Sequence, residues 1–173
     1  PQLRLIFTYQ REVCAMKYSR FEELPVWKAA IELAVRVYHL TGQPSFKGQY
    51  SLKDQIERAA VSVSNNIAEG FERGTTQELL TFLYIARGSC GEVRSMLCLM
   101  ECLPGFKNLK SEISDLKSHS EGVSRQLRAW ADSLQNSDIR GQRYLTEKTK
   151  SKASEARERE EFLKELEQIR QRG

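Results

Sequence analysis

Histidine is nearly absent: two occur in 173 residues, at positions 39 and 119, with none between 40 and 118. Most of the chain therefore lacks the commonest general base and metal ligand. No Glu-x-x-His pair is present, which excludes the ligand set of the di-iron bundles. Phosphate-loop, nucleophile-elbow, dinucleotide and zinc-ligand spacings are missing as well. No run of about eighteen apolar residues exists, so no membrane span is expected. Sustained apolar–polar alternation bounded by turn signals is also lacking, which argues against strands.

Cysteine is sparse: Cys14, Cys90, Cys98 and Cys102. The last three fall on one predicted helix, where residues four apart stack without disulfide geometry. They are read as core thiols in a reducing cytoplasm, with no metal and no cofactor. The opening PQLRLIFTYQREVCA is too polar and broken for a secretory signal. It begins with Pro1, and Met16 directly precedes the first patterned segment. Two readings of residues 1–15 stand: sequence upstream of a native start at Met16, or an N-terminal arm.

The four prolines and ten glycines fall mostly between apolar-periodic runs. Pro25 opens the first run and Gly42 follows it, the asymmetry of a helix. Trp27, Ala30, Ile31, Ala34, Val37, Tyr38 and Thr41 form its expected apolar stripe. The second run carries Leu52, Ile56, Ala59, Ala60, Val63, Ile67 and Phe71, with Ser51 as expected N-cap and Asp54 in the first turn. Thr75 and Glu78 match a capping box before the third and most apolar run, which ends at Pro104-Gly105. Asn108 or a neighbour caps the fourth, where Leu109, Ile113, Leu116, Ser120, Val123, Leu127, Trp130 and Leu134 form a bundle seam with one polar interruption.

These runs predict an all-α, antiparallel up-down-up-down four-helix bundle over residues 20–136. Residues 1–19 are an N-terminal extension. Residues 137–173 are a charged tail, partly helical by propensity, with Phe162, Leu163, Leu166 and Ile169 as its short apolar face.

The second run poses a question in RAAVSVSNNIAEGF, residues 58–71: apolar helical spacing with two asparagines, two serines and a glutamate. The third run offers Ser89 and Glu92 beside Gly88 and Gly91, whose cost in a helix interior suggests close packing. Glu69 and Glu92 could serve as a carboxylate pair for acid–base or metal chemistry. Without histidine or a further ligand nearby, the favoured reading is an interhelix or intersubunit polar network of Arg58, Asn66, Glu69, Ser89 and Glu92.

At these residues the chain resembles the four-helix-bundle proteins encoded in intervening sequences of bacterial 23S rRNA genes. The markers are Leu24, Val26, Trp27, Lys28 and Ala30, then Arg58 to Gly70, then Phe82 to Glu92, and the likeness spans about residues 20–134. The resemblance implies an antiparallel bundle assembling as a homopentamer with no established enzymatic activity. It also implies kinship with pentameric accessory proteins of diversity-generating retroelements, which associate with a reverse transcriptase and with nucleic acid. From it follows an expectation of RNA or nucleoprotein association, with a protein-interaction scaffold as the alternative.

The net charge of +4 is compatible with an acidic partner but is far from that of a dedicated nucleic-acid binder. Candidate phosphate contacts are Lys47, Lys53, Arg73, Arg87, Arg94, Lys107 and Lys110, interleaved with acidic residues. Trp27, Phe71, Phe82 and Tyr84 offer more aromatic surface than one thin bundle readily buries, which predicts an oligomer.

Overall fold

The computed structural model describes residues 18–136. The predicted charged tail and nearly all of the predicted N-terminal extension lie outside the described residues, as does Cys14. Four α-helices run in chain order: α1 (Pro25–Thr41), α2 (Tyr50–Glu72), α3 (Thr76–Cys102) and α4 (Lys110–Gln135). Three short 3-10 turns accompany them, Phe21–Glu23, Pro44–Phe46 and Pro104–Leu109. No strand occurs among the described residues. Short connections make neighbours antiparallel. Helix α1 packs on α2 and α4, and α3 packs on the same two, so α1 and α3 occupy opposite corners.

Each helix contributes one inward stripe to a single core. In α3 this is Leu79, Leu83, Ala86, Cys90, Val93, Leu97 and Met100; in α4 it is Ile113, Leu116, Val123, Leu127 and Ala131. The core's polar interruption, Ser120, is fully buried and donates its hydroxyl to the Cys90 carbonyl at 3.1 Å. His119 donates from Nε2 to the Ala29 carbonyl at 2.9 Å, tying α4 to α1, since a carbonyl can only accept.

The sequence expectations need correction at several points. In α1, Leu33 and Leu40 are fully buried, whereas Ile31 and Tyr38 face outward. That helix is apolar on more than one side, so periodicity alone misplaces its inner face. Helix α2 starts at Tyr50 after Gln49, with no side-chain cap, so Ser51 lies inside it. Asn108 sits in a 3-10 turn and does not cap α4. Cys98 and Cys102 are exposed, leaving Cys90 as the buried thiol among the described residues.

The capping box at α3 is present. The Thr75 hydroxyl oxygen accepts from the Glu78 backbone N–H at 3.2 Å and the hydroxyl donates to the Glu78 carboxylate at 2.6 Å. Gly74 before it has φ +80°, a left-handed turn conformation suited to glycine.

Candidate functional site

The polar residues of α2 and α3 divide into three places. At mid-helix, Asn66 Nδ2 donates to the Ser62 carbonyl at 2.7 Å and to Ser62 Oγ at 2.9 Å. Ser89 on α3 reaches the same Ser62 Oγ at 3.0 Å. Ser62 is thus the hub that joins Asn66 to Ser89 across the two helices. Its i, i+4 relation to Asn66 is the sequence signal for this role.

Arg58 and Glu92 make no hydrogen bond to that cluster but share with its hub Ser62 the walls of an open groove of about 660 Å³ between α2 and α3. Gln55, Ala59, Ser95 and Met96 complete the lining. Arg58 pairs with exposed Asp54 at 3.7 Å. Glu69 sits elsewhere: its carboxylate is 2.6 Å from Arg73, whose second nitrogen lies 3.8 Å from Glu78. The hydrogen bond it donates to Glu69 holds the Arg73 guanidinium above its usual pKa. Within one chain, then, Glu69 and Glu92 do not come together. No group of three or more metal-ligating His, Cys, Asp or Glu side chains occurs among the described residues.

Gly88 and Gly91 do not mediate packing within the chain. A Cβ at either position would meet nothing within 4 Å. The close approach is at Gly70, where a Cβ would lie 2.7 Å from Phe82 Cβ and 3.4 Å from Leu79 Cα.

The candidate basic residues also separate. Arg73 stacks over the Phe82 ring at 5.1 Å and is bound by carboxylates. Arg87 lies 5.8 Å from the Tyr84 ring centroid, and Arg94 is 3.9 Å from Glu121. Lys53 is 3.7 Å from Glu57, which also accepts from Thr41. Lys47, Lys107 and Lys110 lie together at the end where the α1–α2 and α3–α4 connections meet, and all three are exposed.

Of the aromatics expected to be in surplus, Phe71 is buried, and Trp27 packs edge-on to Phe21 at 5.3 Å. Phe82 is half-buried and Tyr84 is exposed, and further exposed apolar residues form two stripes. One follows Ile31, Val35 and Tyr38 along α1, the last two about half exposed (50% and 52%). The other follows Ile85 (46%) and Leu99 (50%) along α3, with Gly88, Glu92 and Ser95 between them on the same helical face. The two stripes thus lie on helices at opposite corners of the bundle. Among the described residues no helix is long and apolar enough to cross a membrane.

A family model described as 23S rRNA-intervening sequence protein matches residues 22–134, a span covering nearly the whole described bundle. No curated protein matches the chain. The family match covers well over half of the chain, which therefore belongs to this family.

Proposed function

We propose that this member of the 23S rRNA-intervening sequence protein family is a non-enzymatic assembly module that forms a homo-oligomer and associates with RNA. The observation that carries the reading is the pair of unlike apolar stripes on opposite corners, α1 and α3. A two-fold dimer uses one patch twice, whereas two different patches meeting head to tail generate a ring when the rotation closes. Exposed Gly88 and Gly91 beside the α3 stripe would let a neighbouring backbone come close. A pentamer is the number implied by the resemblance.

A ring repeats every basic residue of the protomer around its axis, so weak phosphate contacts gain by multivalency. RNA association is supported by the lysine cluster at one end of the bundle. Light scattering should return a closed oligomer, and filter retention should show RNA binding that weakens steeply with salt. A stable monomer would refute the assembly, and failure to hold RNA at low salt would refute the association.

A second reading, a scaffold for a protein such as a reverse transcriptase, is favoured by the α2–α3 groove. Its walls carry both Arg58 and Glu92, charges of both signs suited to a polypeptide. Co-purification of one protein after nuclease treatment would select this reading.

A further inference from the structure

At the end shared by the two helical connections, burial of two rings dictates where the charges go. Phe46 and Phe106 turn inward and meet edge to face, 4.9 Å between centroids at 73°. Ser45 adds a 3.2 Å hydrogen bond to Asn108 Oδ1. A lysine follows each buried phenylalanine, and both Lys47 and Lys107 are left exposed. Lys110, the first residue of α4, is exposed at the same end. Among the described residues none of these three lysines takes part in an ion pair. At the opposite end Arg20, Arg73 and Arg128 each hold a carboxylate, while exposed Lys28 does not.

Tyr50, the first residue of α2, belongs to the lysine end and is 76% exposed, the most of any large apolar side chain described. The N-termini of α2 and α4 both lie there without a side-chain cap. The nearby carboxylates are mostly engaged: Asp54 by Arg58, Glu57 by Thr41 and Lys53, Glu101 by Lys117. Glu112, half-buried in the first turn of α4, and exposed Asp115 one turn on are the remaining acids.

We infer that this end binds single-stranded RNA, with phosphates on Lys47, Lys107 and Lys110 and a base stacked on Tyr50. The inference rests on the RNA reading above and adds a surface and a strand type to it. Unpaired lysines suit a phosphodiester backbone, and an exposed aromatic ring suits a base whose face is free. A duplex stacks its bases internally and would use only the lysines.

The test is fluorescence anisotropy with the full chain. The probes are labelled oligouridine of roughly twelve nucleotides, within the site sizes of single-strand binders, and an RNA duplex of the same length. Tyr50→Ala should weaken oligouridine binding about fivefold or more and leave the duplex unchanged, while Tyr50→Phe binds like the parent. The triple variant Lys47→Ala, Lys107→Ala, Lys110→Ala should weaken both probes and flatten the log–log salt dependence by about 2. All four side chains are exposed, and matching thermal melts would show that the bundle is intact. If the parent binds oligouridine and these variants bind equally well, the surface assignment falls and the RNA reading stands. If Tyr50→Ala weakens both probes alike, the single-strand assignment falls. If the parent binds neither probe, the RNA reading falls and takes this inference with it.

Discussion

Ser120 on α4 donates its hydroxyl to the backbone carbonyl of Cys90 on α3, 3.1 Å across the interior of the bundle. Both residues are fully buried. The polar residue in an otherwise apolar seam is thus satisfied by a neighbouring helix and not by solvent. Burial pushes the Cys90 thiol from 9.0 up to about 11, only partly offset by its hydrogen bond with Ser120.

The folded state therefore favours the neutral thiol. Its contribution to stability is complete below the unfolded value and is lost as pH rises from about 9 towards 11. Denaturant midpoints measured through that window should fall, and a Cys90→Ala variant should lose this part of the fall. In the native protein, alkylation mapped by mass spectrometry should label Cys98 and Cys102 but spare Cys90 until unfolding. Ser120→Ala should cost about 1 kcal/mol in urea titration.

Glycines on α2 and α3 should respond oppositely to an added methyl. Gly70→Ala drives a Cβ to 2.7 Å from Phe82 Cβ, forcing the helices apart. A loss of roughly 1–3 kcal/mol is expected in denaturant titration. Gly88→Ala and Gly91→Ala meet open space in the single chain. Measured on a monomeric variant, each should raise stability by up to about 1 kcal/mol through helix propensity. In the parent, the same changes should lower oligomer mass if a neighbouring backbone lies against that face.

The two apolar stripes permit a mixing experiment. Val35→Glu spoils the α1 stripe and leaves that of α3; Ile85→Glu does the reverse, and the two spoiled faces repel each other. Each variant alone should scatter light as a monomer. Mixed in equal amounts, they retain one good head-to-tail interface per pair and should form dimers and nothing larger. Larger rings in the mixture, or parent-sized oligomers of either variant alone, would refute the head-to-tail arrangement.

Helix number, order and the apolar faces of α2 to α4 were legible because each of those helices has one dominant stripe, as in Ile56, Ala59, Ala60, Val63 and Ile67. Helix α1 misled because Leu33, Val37 and Leu40 compete with Ile31, Val35 and Tyr38, and spacing alone cannot say which set meets the core. Ser51 and Asn108 looked like caps, but such residues serve equally well inside a first turn or in a 3-10 turn. Arg58, Glu69 and Glu92 share a polar character in the sequence, yet Glu69 stands apart from the groove that Arg58 and Glu92 line, since its partner Arg73 lies one helical turn away. The grouping of Lys47, Lys107 and Lys110 needed the fold, because it depends on two distant connections meeting at one end.

The ring contact between Phe46 and Phe106 latches together the bends of two hairpins that are far apart along the chain. The other extremity is closed by the covalent link around Gly74, so splaying of the pair must begin at the ring contact, as a clothes peg parts only at its jaws. Amide exchange and protease nicking should accordingly start at the Phe46–Phe106 end and travel towards the Gly74 link, which yields last.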